Sequence, residues 1–236
     1  APETVPRLDV SDITVQATLP YLPPTIAAMV QIQRVSGMRP SNVCRMKVGD
    51  IDRSKEIWLY TLKEHKTAWR GHGKIVALGA FEQSILIPYL DGKNSEEFVF
   101  SPKQAMKERY ERMAANRKKP LTPYKKKQQE YHAKHPKRVF SDFYNSQSYG
   151  KAIKNTIKLV NRKLPADKQI EHWTPYQLRH AKETELMRET NNPTITLAVM
   201  GQRSTSLLSR YDHSQTVLAV EEAKKRKNPF TEQTDS

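Results

Sequence analysis

The chain has 236 residues, 40 of them Lys or Arg and 25 Asp or Glu, which gives a formal charge of +15 and a pI near 9.8. At ~150 residues per domain this is one large domain or one plus a fragment, long enough to hide roughly 70% of the unfolded surface on folding. No stretch approaches the ~18 apolar residues of a membrane span, no charged-then-apolar leader opens the chain, and 37% hydrophobic content argues against disorder throughout.

Residues 1–22 read as an extended lead-in or interdomain linker, with alternating Ile13 and Val15 followed by Pro20, Pro23 and Pro24. The start at Ala1-Pro2, without Met, fits an excised domain with a partner upstream. Residues 23–236 are read as the working domain. A helix starts after Pro24, carries Ile26, Met29, Val30 and Gln33, and stops near Gly37. Pro40 suits the first turn of a short helix through Val43 and Met46. Cys44 is the single cysteine, so it forms no internal disulfide and no Cys-based zinc site, and a reduced, cytoplasmic compartment is the expectation. Residues 57–61 and 74–78 are rich in strand formers and pair as a hairpin through Gly71-His72-Gly73. Residues 81–90 look helical, with Pro88 ending or kinking the helix.

Ser101-Pro102 is a cap and first-turn pair for a basic helix reaching about Lys119, and Pro120, Pro123 and Pro136 break the chain beyond it. From Ser146 on, Tyr149, Ile153, Ile157, Val160 and Leu164 recur at spacings of 4, 4, 3 and 4, one face of a helix. Thr174-Pro175 opens another helix, and Asn192-Pro193 a third that Gly201 closes. Residues 204–211 and 216–225 are the last two, and residues 215–236 form a C-terminal tail. The fold class expected is mainly α with a small antiparallel β-sheet in the N-terminal third.

Charge is concentrated. Residues 103–138 hold 13 Lys or Arg against Glu108, Glu111 and Glu130. Arg117, Lys118, Lys119, Lys125, Lys126 and Lys127 stand in two runs, with Tyr110, Tyr124 and Tyr131 interleaved. Clustered cations suit a polyanion, because each neutralised phosphate releases condensed counterions. A solvated loop that keeps the chain soluble is the plainer reading, an anionic membrane surface is weaker because no Trp/Phe/Leu face is present, and nucleic acid leads, with those six cations as its contacts. No Gly-rich phosphate loop and no G-x-S-x-G occur. His132 and His135 lie three apart in the Pro-broken basic stretch, a poor start for a metal site.

Three later strings carry a more specific signal: Tyr176-Gln177-Leu178-Arg179-His180, Met200-Gly201-Gln202-Arg203-Ser204 and Tyr211-Asp212-His213. They resemble the second motif (H-x-x-R-H), the third motif (L-G-H-S) and the nucleophile string (Y-x-H) of the tyrosine recombinases, or phage-type integrases. Arg179 lies 23 residues before position 202, which lies 9 before Tyr211, similar to the family's separations. Gly37-Met38-Arg39 and Asp50-Ile51-Asp52 resemble the family's T-G-L-R-x-x-E and L-x-W-x-D-I-D strings. His65-Lys66-Thr67 resembles the string with the family's catalytic lysine, with Lys63 and Lys74 as rivals to Lys66. The resemblance covers about residues 24–92 and 142–225, and the basic stretch at 103–138 looks like an insertion.

By that resemblance the chain is a catalytic domain that cleaves duplex DNA through a 3′-phosphotyrosyl link at Tyr211 and rejoins it in site-specific recombination. Four protomers would synapse on two sites in the nucleoid, with a C-terminal segment packing on a neighbour. Arg39 and Arg179 would clamp the non-bridging oxygens, since guanidinium groups offer a rigid fork of donors to a phosphate gaining charge. Lys66 would protonate the leaving 5′-oxygen, and the cations would supply the charge without metal or cofactor. Asn42 stands where the family has an acid, and Tyr176 and Gln202 where it has histidines. Tyr176 and Gln202 can each donate a hydrogen bond, but neither is a base near neutral pH. Weakened catalysis is therefore expected, with a DNA-binding descendant of decayed site and a type IB topoisomerase-like activity as alternatives.

Overall fold

The computed structural model describes residues 9–62, 74–135, 140–190, 192–201 and 212–226. In chain order these form α1 (Asp12–Thr18), α2 (Pro24–Ser36), α3 (Pro40–Cys44), β1 (Ile51–Asp52), β2 (Trp58–Leu62), β3 (Lys74–Leu78), α4 (Ala80–Leu90), α5 (Pro102–Ala115), α6 (Pro123–Lys134), α7 (Ser146–Asn161), α8 (Pro175–Thr190), α9 (Pro193–Met200) and α10 (Asp212–Lys225). None of these helices is long and apolar enough to cross a membrane.

The central element is α2. Ten of its thirteen residues are buried, as a helix apolar on most sides must be, and it packs against α8, α4, α3, α7 and β3. Pro24 occupies its first turn, where a missing N–H costs nothing, and Gly37 closes it in the left-handed conformation at φ 65°. The 4, 4, 3, 4 stripe delivers Tyr149, Ile153 and Ile157 of α7 into the same core.

The sheet has the order β1-β2-β3, antiparallel throughout, with Ile51 opposite Tyr60, Trp58 opposite Leu78 and Leu62 opposite Lys74. Strand alternation sends Tyr60, Leu62, Val76 and Leu78 into the main core. Ala77, with Ile57 beside β2, goes to the opposite face, where Ala219 and Ala223 of α10 cover it. The sheet thus lies between the α2 layer and α10. That face fixes α10, and with it the chain that comes after Tyr211.

Four elements differ from the sequence-based expectation. Residues 12–18 are helical and not extended: Ser11 caps α1 by accepting from Thr14 N–H, and Val15 and Thr18 are buried. Tertiary contacts override the β-branched composition here, since Trp173 Nε1 donates to Thr18 Oγ1 at 3.1 Å. The two-residue β1 pairs with β2 and extends the hairpin to three strands. Helix α5 ends at Ala115, short of the Lys119 expected, whereas the helix expected over 81–90 is present as α4, running through Pro88 to Leu90. Pro123 starts a helix where a break was expected: it takes the first-turn position of α6, behind a Thr122 cap that accepts from Lys125 N–H.

Candidate active site

Gly37 is the pivot of the site. Its left-handed turn swings the chain from the end of α2 toward α3, and Arg39 sits at the N-cap position of α3 in extended conformation, partly buried. A Cβ at Gly37 would lie 2.7 Å from Met200 Sδ and 3.1 Å from Lys182 Cγ, so α8 and the end of α9 close onto this turn. Gln33, one turn earlier and fully buried, donates from Nε2 to the carbonyls of Pro175 at 2.8 Å and Met38 at 3.3 Å. These bonds pin the start of α8 to the end of α2.

Arg179 projects from α8 into this junction. Its Nη1 donates to the Gly37 carbonyl at 2.7 Å and its Nη2 to the Met200 carbonyl at 3.0 Å. A guanidinium carries five N–H donors, so these two bonds leave donor capacity. Burial first, and then the positive charge of Arg39, pull the Arg179 pKa down to about 10, while Glu183 opposes them. The group still carries its charge at neutral pH. Like charges at one junction favour an anion nearby.

Tyr176 lies one turn before Arg179 on α8 and is exposed; its oxygen acts electrostatically on Arg179. His180 is also exposed, with Nδ1 at 3.9 Å from Glu183. Asn42 is buried on α3, and its Nδ2 has no partner among the described groups, while the Tyr60 hydroxyl donates to its carbonyl at 3.0 Å. Lys74 opens β3. Lys63, Lys66, Gln202, Ser204 and Tyr211 lie outside the described residues, as does the helix expected over 204–211. The two ends of that last segment are held: α9 ends at Met200, with Gly201 as its cap, α10 begins at Asp212, and α9 packs on α10.

Sequence reasoning missed the charge chain that backs this site. Asp12 accepts two bonds from Arg34, at 2.6 and 2.8 Å. Arg34 reaches Glu185 at 2.5 Å, Glu185 accepts from Lys182 at 2.8 Å, and Lys182 Nζ lies 3.1 Å from Glu222. Glu222 accepts from Arg226 Nε at 2.8 Å, and Arg226 Nη1 bonds Glu82 and, at 3.0 Å, the Ala77 carbonyl. Signs alternate along all seven residues, and the chain joins α1, α2, α8, α10 and α4. Burial alone would lower the Arg34 and Arg226 pKa values, but their acid partners outweigh it and raise both. Burial would raise Glu185, yet Lys182 and Arg34 hold it below its ordinary range. The available signal was Arg34 itself, a charge inside an otherwise apolar helix.

The described geometry fixes α8 against the Gly37 turn and the end of α9, and leaves unused guanidinium donors at that junction. The family described as the phage integrase family matches residues 15–217. Among solved structures, XerA recombinase is similar at 14% identity and a TM-score of 0.53, over 93% of this chain and 60% of that one. XerH site-specific recombinase bound to palindromic difH substrate, a post-cleavage complex, is similar at 14% identity and 0.51, over 92% and 50%. The Tn1549 transposon integrase in complex with a circular intermediate DNA matches at 12% and 0.51, over 93% and 62%. The chain therefore spans half to about three fifths of the length of those proteins, and at such identities the likeness is one of fold. No curated protein sequence matches. The mainly helical architecture with its small antiparallel sheet is that of tyrosine recombinase catalytic domains.

Proposed function

Because the chain belongs to the phage integrase family, we propose that it breaks and rejoins duplex DNA in site-specific recombination. The observation that carries this reading is the Arg179 guanidinium, held by the Gly37 and Met200 carbonyls with donors to spare, next to the turn that presents Arg39. The XerH and Tn1549 integrase structures, both DNA complexes, support DNA as the substrate here too.

In the proposed reaction the Tyr211 phenol loses its proton to solvent water and its oxygen attacks the scissile phosphorus. A phosphorus–oxygen bond to Tyr211 forms as the bond to the 5′-oxygen breaks, and that oxygen takes a proton from Lys66. A free phenol has a pKa near 10, so the surrounding cations are needed to favour the phenolate. Arg39 and Arg179 meet the charge that grows on the non-bridging oxygens, a type of contact worth ~10³–10⁵ in rate in phosphoryl transfer. Tyr176 and Gln202 add neutral donors. Attack by the 5′-hydroxyl of another strand then reverses the chemistry, and a four-protomer synapse is part of the same proposal.

A second reading keeps the fold and DNA binding without the reaction. It is favoured by Tyr176, Gln202 and Asn42, which replace the family's titratable groups. A duplex nicked beside the cleavage point decides between the two. The wild-type chain is expected to become covalently attached to it, seen as a shifted band on a denaturing gel, and Tyr211→Phe to bind without attaching. Binding with no adduct from the wild type selects the second reading.

A further inference from the structure

The two helices α5 and α6 stand apart from the other described residues. The root of α5 meets the body: Gln104, Ala105 and Glu108 line a shallow groove with Thr25 and Tyr89. From 107 to 120 every residue is exposed, and α5 contributes no residue to the core. The same holds along α6 wherever exposure is described. Fourteen residues of α5 and twelve of α6 make rods of about 21 and 18 Å at 1.5 Å per residue.

These rods are built locally. Ser101 and Thr122 cap them, and each starts on a proline. Between residues 103 and 134 they and their connection carry eleven Lys or Arg against three acids. The acids neutralise little: Lys107 lies 4.0 Å from Glu111 in an exposed pair, and Lys103 lies 3.7 Å from Asp142. Tyr110, Tyr124 and Tyr131 stand out into solvent, 58%, 74% and 62% exposed. Short helices with no buried face gain little from tertiary packing, so their concentrated charge calls for a partner of opposite sign.

We infer that α5, α6 and the Arg117-Lys118-Lys119 connection form an arm that grips the phosphate backbone of the duplex DNA on which the chain is proposed to act. This rests on the reading that duplex DNA is the substrate. A surplus of eight positive charges spread along two rods of this length and their connection matches a duplex, which presents one negative charge per ~1.7 Å of its axis. The grip is indifferent to sequence, because phosphate contacts position a protein without reading bases. The tyrosines flank the cations and place hydroxyl donors at the same backbone.

The test is the salt dependence of binding to a duplex of unrelated sequence, for the full chain and for two triple variants. One carries Lys125→Ala, Lys126→Ala and Lys127→Ala; the other carries Arg117→Ala, Lys118→Ala and Lys119→Ala. All six side chains are exposed, so folding is preserved. Each variant is expected to flatten the slope of log K against log salt by up to about 2.7, at ~0.9 per lost phosphate contact. An unchanged slope in both overturns the arm and leaves it as solubilising charge. A loss seen with single strands but not with duplex also overturns it, in favour of stacking on the tyrosines. Failure of the proposed reaction is read separately: a wild-type chain without adduct but with flattened variant slopes loses the chemistry and keeps the arm.

Discussion

Arg179 donates a 2.7 Å hydrogen bond to the carbonyl of Gly37, a residue 142 positions earlier in the chain. That bond ties the helix bearing the second-motif arginine to the turn that presents Arg39. The same guanidinium bonds Met200 at the end of α9, so one side chain joins three segments at the place where a phosphate is proposed to sit. Arg179 is thus a structural bond and a source of charge together. A lysine there has no fork with which to reach both carbonyls.

Gly37→Ala is expected to disturb this junction. An L-residue in the left-handed region costs roughly 1–2 kcal/mol, and the added Cβ must also displace Met200 Sδ, 2.7 Å away, and crowd Lys182. Gly92→Ala is the control, because Gly92 has a similar φ of 67° with nothing within 4 Å. At roughly 2–4 °C per kcal/mol for a chain of this size, Gly92→Ala should lower the melting temperature by about 2–8 °C and Gly37→Ala by more. Equal losses in a calorimeter would show that the close packing of α8 and α9 on Gly37 carries no energy.

Glu185 makes stability depend on acid. Its folded pKa lies below the ordinary 4.5 because Lys182 and Arg34 outweigh the effect of burial. A depressed carboxyl contributes stability that is fully present above its unfolded pKa and is lost as the pH falls through the folded value. Glu185→Gln should therefore melt lower than the parent at pH 7, and the gap should close below pH ~4. A gap that is constant from pH 7 to pH 3 would mean that the charge of Glu185 plays no part.

Arg226 and Glu82 close the other end of the chain of charges, with Arg226 also bonding Glu222 and the Ala77 carbonyl. Both side chains are almost wholly buried. Removing one partner strands the other, at a cost of about 3–5 kcal/mol. Arg226→Met is expected to lose that much in denaturant unfolding, and Glu82→Gln in the Arg226→Met background should recover part of it. A double variant no more stable than Arg226→Met would assign the loss to Glu222 instead.

How much of this was legible depends on where the constraint lies. The faces of α2 and α7, the hairpin and the Gly37 and Gly201 stops follow from periodicity and local chemistry, which a single sequence displays. Helix α1 could not be read that way, because Ile13 and Val15 alternate as in a strand and only contacts such as Trp173 to Thr18 select the helix. Helix α6 was hidden by its prolines, since the same residue that breaks a helix interior starts a new one. At the site, Arg39 and Arg179 stand out by motif, whereas Lys182, Glu222 and Arg226 look like ordinary surface charges. Spacing shows only the local pairs, Lys182 with Glu185 at i,i+3 and Glu222 with Arg226 at i,i+4. The contacts that join them into one chain, Arg34 to Glu185, Lys182 to Glu222 and Arg226 to Glu82, are long-range and leave no trace in it.

By the motif resemblance, Tyr176 and Gln202 stand where the family has histidine. Tyr176 is exposed beside Arg179, and Gln202 comes directly after the Gly201 that caps α9. Both can donate a hydrogen bond to a phosphate, but neither is a base matched to neutral pH, which typically contributes ~10²–10⁴-fold. If the proposed reaction runs here in weakened form, Tyr176→His, Gln202→His or the pair should raise the rate of covalent attachment to a nicked duplex. An imidazole acts as base only when neutral, so the gain should shrink as the pH falls below ~6.5. The parent rate, which lacks that group, should show no such step. A gain of roughly tenfold or more at pH ~7.5 that fades at pH ~5.5 would mark the two positions as part of the phosphate site. Variants that bind the nicked duplex as the parent does, yet attach no faster at any pH, would instead leave Tyr176 and Gln202 as surface and packing residues of a domain that only binds DNA.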